Sequence, residues 1–124
     1  EIRIHLSNEK IKKDILVLAQ EQFQKLNMHQ TQLRNGVLLY INLAEKQFSL
    51  FGDEGIHQKV TQTFWNQLVT DVSTEIKSHS LETGIIYAIQ KIGAALKNHF
   101  PSDPTLNPNE LTNEWFNLDG LNDI

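Results

Sequence analysis

Val37 to Asn42 is an apolar, β-rich run and Phe48 to Phe51 is a second, while Ala44 to Gln47 between them is short, polar and suited to a chain reversal. The pattern reads as a β-hairpin, and the rest of the chain has to be arranged around it. A two-residue loop at Glu45 and Lys46 sets Leu43 opposite Phe48, Ile41 opposite Leu50 and Leu39 opposite Gly52. Continued past the strands, that register brings Asp53 and His57 close to Arg34 and Asn35. A guanidinium, a carboxylate and an imidazole far apart in sequence then meet at the open end of one hairpin.

Upstream, Ile2, Ile4 and Leu6 alternate with Arg3 and His5, the period of two of a strand with one polar face. A strand at the very start is a frayed terminus unless it is paired, so an upstream element in the intact protein is expected. Asn8 is a candidate cap for a first helix in which Ile11, Ile15, Leu18, Ala19 and Leu26 form one apolar stripe, widened by Phe23 and ending near Asn27. Strand, helix and strand in about 30 residues is a βαβ unit, which makes the first two strands parallel with a right-handed crossover. The third strand returns antiparallel. Ligands on such sheets usually lie beyond the carboxyl ends of the parallel strands, here near Ser7, Asn8, Asn42 and Ala44, whereas the Arg34 and Asp53 cluster falls at the opposite edge.

Beyond Gly55, Val60, Phe64, Leu68, Val72 and Ile76 recur every four residues, with Trp65 and Val69 widening the stripe of a helix capped near Thr61 or Thr63. Ser80 caps a third helix whose buried face is Leu81, Ile85, Ala88, Ile89, Ile92, Leu96 and Phe100, stopped by Pro101. Gly84 and Gly93 each cost about 1 kcal/mol against Ala in a helix interior and read as permitting close approach of a neighbour. The fold class is therefore α/β: a small mixed sheet, a parallel βαβ unit plus an antiparallel hairpin strand, packed with about three helices. One domain over residues 1–118 is expected, with a flexible acidic tail at 119–124 and docking by 111–118 through Trp115 and Phe116.

A chain of 124 residues buries roughly two-thirds of the surface its unfolded form exposes, so it needs no staple, and it has no cysteine to make one. Residues 101–124 hold Asp103, Glu110, Glu114, Asp119 and Asp123 and no Lys or Arg, within a net charge of -4. No part carries the basic stripe that phosphate-backbone binding demands, which argues against nucleic acid as a partner. No apolar run is long enough to span a bilayer. A soluble protein is expected with the cytoplasm slightly favoured, although Glu1 is not an initiator and allows a trimmed leader.

Arg34 with Asp53 is the sharpest candidate site, since a guanidinium beside a carboxylate can hold a phosphate, and the competing reading is an ion pair stabilising the hairpin base. His57 lies four residues after Asp53, as in an acid and base pair or a two-ligand metal site, and Asp53 is equally suited to capping a helix. Asn35-Gly36 reads as a turn in which Gly supplies a positive φ, or as an exposed amide beside a bound anion. Asp103, Asn107, Asn109 and Glu110 are oxygen ligands of the type calcium uses, without the order of acids and glycine that an EF-hand needs. His29, His79 and His99 are scattered, and neither a zinc-protease motif nor a GxSxG elbow is present.

Leu33-Arg34-Asn35-Gly36-Val37-Leu38, the hairpin, Gly52-Asp53-Glu54-Gly55-Ile56-His57, Phe64-Trp65 and the late Asn109-Glu110-Leu111 together resemble the short bacterial branch of the TPM domain family. That family includes thylakoid-lumen proteins linked to photosystem repair. The resemblance implies an α/β sandwich, weak acid phosphatase activity and calcium binding. If the domain is an enzyme, the roles expected are Asp53 as nucleophile or metal ligand, His57 as general acid and Arg34 as clamp on phosphoryl oxygens, with Asp53 and Glu54 the ligands of any Ca²⁺ or Mg²⁺. Relatives often carry Gly-x-Gly-Leu-Glu where this chain has Gly55-Ile56-His57, which puts an imidazole in a carboxylate's place, and Ca²⁺ prefers oxygen. The expected function is binding of a phosphate-bearing ligand or divalent ion, with phosphomonoester hydrolysis as the chemistry if the domain is an enzyme. The alternative is a noncatalytic interaction module in which the acidic C-terminal segment engages a protein partner.

Overall fold

The structure, a computed structural model, describes residues 1–10 and 12–103. Expectations for Ile11, for the Asn107 to Glu110 loop, for docking by 111–118 and for the tail at 119–124 lie outside the described residues. Strands β1 (Ile2–Ser7), β2 (Val37–Asn42) and β3 (Gln47–Gly52) form one sheet in the order β1-β2-β3, with helices α1 (Ile15–Lys25), α2 (Glu54–Ser78) and α3 (Leu81–His99) and a short 3-10 turn at Met28–Gln30. β1 runs parallel to β2, with Ile2 beside Val37, and β3 returns antiparallel. This is the α/β class expected, a mixed sheet with three helices.

The two faces of the sheet hold two separate cores. Ile2, Ile4, Leu6, Val37, Leu39, Ile41 and Leu50 point one way and meet Trp65, Leu68 and Val72 of α2 and Ile85, Ala88, Ile89, Ile92 and Leu96 of α3. Leu38 and Tyr40 point the other way and meet Leu18, Ala19 and Phe23 of α1 together with Met28. Every residue of β2 is buried, because it is the central strand and is covered on both sides. That is why its sequence is a near-continuous apolar run, whereas β1 alternates.

The hairpin register differs from the expectation by two residues: Ile41 pairs with Phe48, Leu39 with Leu50 and Val37 with Gly52. The loop spans residues 43–46, with Lys46 at φ 54, and the buried Asn42 organises it by accepting from the Glu45 N–H at 3.1 Å and donating to the Glu9 carbonyl at 3.0 Å. A shift of two keeps every side chain on its face, so the core survives the error.

Helix α1 begins at Ile15, later than Asn8 would have it, because Asp14 takes the cap by accepting from the Leu16 N–H at 2.8 Å. Starting there also keeps Lys10, Lys12 and Lys13 out of the first turn, where cations oppose the helix dipole. Helix α2 begins at Glu54, capped by Asp53, before the expected Thr61 or Thr63. Thr61 nevertheless interrupts it, with φ 69 and ψ 171, so the signal seen there marks a kink inside the helix. Helix α3 is capped by Ser80, which accepts from the Thr83 N–H at 3.0 Å, and ends before Pro101 as expected.

The two helix glycines separate. A Cβ at Gly84 would lie 2.4 Å from Ile76 Cγ1, so Gly84 is where α3 closes onto α2. At Gly93 a Cβ would meet only Ile2 Cδ1, at 4.0 Å, and close approach does not require glycine there. Gly84→Ala is therefore expected to destabilise by about 1–3 kcal/mol through overpacking. Gly93→Ala should be neutral or stabilising by up to about 1 kcal/mol through helix propensity, and urea unfolding of the two variants side by side checks the contrast.

Candidate functional site

The base of the hairpin and the start of α2 are joined by a dense set of hydrogen bonds. The Asp53 N–H donates to the Gly36 carbonyl at 2.9 Å, continuing the hairpin ladder one step past β3. The Gly55 N–H donates to the Arg34 carbonyl at 2.7 Å, and Gly55 has no room for a side chain, since a Cβ would lie 2.1 Å from the Leu33 carbonyl oxygen. Arg34 itself adopts φ 52. The left-handed residue of this turn is thus Arg34 and not Gly36, which departs from the turn expected at Asn35-Gly36.

This backbone brings Arg34 onto Asp53 as a fork. Nε donates to Oδ2 at 2.6 Å and Nη2 donates to Oδ1 at 2.8 Å. Oδ1 also accepts from the Glu54 N–H at 2.8 Å, so one carboxylate closes the hairpin and caps α2. Asp53 is 5% exposed, whereas the guanidinium stays half open to solvent with Nη1 3.4 Å from Glu54 Oε1. The Asp53 hydrogen bonds raise Arg34 above its already high ordinary value, so it is a permanent cation.

His57 shares the site but answers to a different partner. Its N–H donates to the Asp53 carbonyl within α2, and its ring accepts at Nδ1 from Trp65 Nε1 at 3.0 Å. Asp53, Glu54, His57 and Trp65, with Gln20 of α1 and Gln62 of α2, line a cleft of about 400 Å³. The Trp65 ring lies against Gly52, where a Cβ would come within 2.4 Å of it, and forms an edge contact with Phe64 at 5.1 Å between centroids.

Arg34 and Asp53 therefore meet as the hairpin topology implies, whereas His57 lines the cleft with Asp53 and bonds through its ring to Trp65, a link that no motif announces. Asn35, an expected anion contact, is instead 2% exposed and donates from Nδ2 to Asp103 Oδ2 at 2.9 Å, tying the end of α3 to the hairpin. The Arg34 guanidinium stands against both Asp53 and Glu54, the two carboxylates expected to hold a divalent ion. Among the described residues no group of three His, Asp or Glu side chains converges on a metal position, and no helix is long and apolar enough to cross a membrane.

The three-stranded mixed sheet, with α1 on one face and α2 and α3 on the other, makes this a small α/β domain. The profile of the TPM domain matches residues 1–95, and the chain belongs to the TPM domain family. A similar solved structure is the NMR structure of BA42 protein from the psychrophilic bacterium Bizionia argentinensis. It is 34% identical, with a TM-score of 0.76, over 91% of this chain and 77% of that one. No curated protein matches.

Proposed function

We propose that the cleft beside the Arg34 and Asp53 pair binds a small phosphate-bearing ligand, and that binding outweighs turnover there. The observation that carries the reading is the bond from Trp65 to His57. An indole N–H can only donate, so Nδ1 of His57 is bare and the ring proton sits on Nε2, on a residue that lines the cleft. Such a donor suits a phosphoryl oxygen, and the cation of Arg34, held by Asp53 of the same cleft, favours an anion.

The same geometry sorts the catalytic roles. Asp53 commits both oxygens to Arg34 and to the α2 cap, so it positions the guanidinium and makes a poor nucleophile. A neutral imidazole with one proton is a hydrogen-bond donor and a weak general acid. Acid phosphatase activity, which the family resemblance implies, would then be slow in this chain. Ca²⁺ or Mg²⁺ would come with the ligand and would not be held by Asp53 and Glu54.

The test is a calorimetric titration of the full chain with inorganic phosphate and phenyl phosphate, each with and without Ca²⁺ or Mg²⁺. Saturable binding is expected, weakened about tenfold by His57→Phe and restored by His57→Gln, whose amide can accept from Trp65 and still donate. No saturation, or binding untouched by His57→Phe, overturns the site. Phosphatase turnover that Asp53→Ala and His57→Ala together abolish would restore the catalytic assignment. The interaction-module reading draws on the Asn35 to Asp103 link at the root of the acidic segment. It requires that removing residues 104–124 abolish capture of a protein partner.

A further inference from the structure

The parallel strands end on the far side of the molecule from Arg34, and that end also holds a cleft, of about 610 Å³. We propose that this cleft, between the β2–β3 turn and the junction of α2 with α3, binds a small amphiphilic carboxylate, its hydrocarbon on Phe48, Ile76 and Leu81 and its head group between Lys46 and Lys77. It is independent of the phosphate reading and shares no lining residue with that site.

The walls are a continuation of the main core. Leu43, Phe48, Ile76 and Leu81 all pack against that core yet remain only partly buried, so the core's apolar surface opens here. They come from the turn, from β3, from the last turns of α2 and from the first residue of α3, and together they make a concave face without a covering element among the described residues. A pocket of this size that is mostly apolar, with a few polar groups at its mouth, is the usual form of a small-molecule site. Its place at the carboxyl ends of β1 and β2 is where open α/β sheets take ligands.

Charge selects the head group. Lys46 and Lys77 line the same cleft from two different elements, both are exposed, and neither forms an ion pair among the described residues. On a chain with net charge -4, a pair of uncommitted cations flanking an apolar surface complements one anionic group on an apolar body. Asn42, the buried amide of the lining, does not compete for it, being satisfied by Glu9 and Glu45 on both sides of its amide.

Decanoate, kept below its micelle concentration, is the probe, and ¹⁵N–¹H correlation spectra of the full chain are the readout. Saturable shifts confined to residues 41–48 and 73–81 are expected. Decanol, with the same tail and no charge, should bind about tenfold more weakly. The double variant Lys46→Asn, Lys77→Gln should erase that difference, and Asn is at home in the left-handed backbone at 46. Decanol binding as well as decanoate to the native chain overturns the proposal, as does the absence of saturation or a shift pattern centred on residues 34–36 and 52–57. Shifts at 41–48 that change on dilution alone would assign the cleft to a second copy of the chain, and also overturn it.

Discussion

Trp65→Ala is expected to remove about 3–5 kcal/mol of unfolding free energy, the usual cost of deleting a large buried aromatic ring. For a domain whose whole stability is of order 5–15 kcal/mol, that is enough to leave a sizeable unfolded fraction on mild warming. The magnitude follows from position. Trp65 is 6% exposed, sits in the core with Leu68 and Val72, and rests on the bare backbone of Gly52. Urea denaturation with unchanged slope is the measurement, and a loss below about 1 kcal/mol would mean that the ring is not core. Trp65→Phe separates the two jobs of the residue. Much of the burial is kept, but the N–H to His57 is gone, so phosphate binding should weaken more than stability does.

Gly55→Ala is the second large effect, expected at about 3 kcal/mol, the upper end for inserting one methyl into a packed site. Most small-to-large changes are softened by the far end of a flexible side chain moving aside. Here the obstacles are the Leu33 carbonyl oxygen at 2.1 Å and the Arg34 carbonyl oxygen at 2.6 Å, both backbone. Relief requires parting α2 from the hairpin base, which costs the Gly55 to Arg34 hydrogen bond and disturbs the Arg34 fork on Asp53. The variant should therefore lose stability and ligand affinity together. Unfolding within about 0.5 kcal/mol of the native chain would show that the junction is slack.

How much of this was readable beforehand depended on the range of the interaction. Strands β1 and β2, their parallel pairing and both ends of α3 follow from patterns local to each segment: alternation at Ile2 to Leu6, a Ser80 cap and a Pro101 stop. The Arg34 and Asp53 contact was legible too, because a hairpin places flanking residues side by side whatever its loop length. The register was not, since a loop of two and a loop of four residues leave the same faces buried, and the choice rests on how Asn42 is hydrogen-bonded. The start of α1 was misplaced because Asp14 takes the cap from Asn8, and of the two starts open for α2 the molecule uses the Asp53 cap and not Thr61 or Thr63. The bond between Trp65 and His57 escaped because it spans the kink at Thr61, a left-handed conformation that a β-branched residue gives no sign of adopting.

The central position of β2 carries one further consequence. Its alternate side chains are shared out between the two apolar clusters, so neither cluster can melt while the other stands. Heat should therefore take the molecule apart in one step, with α1 and the α2 and α3 pair losing structure at the same temperature although they lie on opposite sides of the sheet.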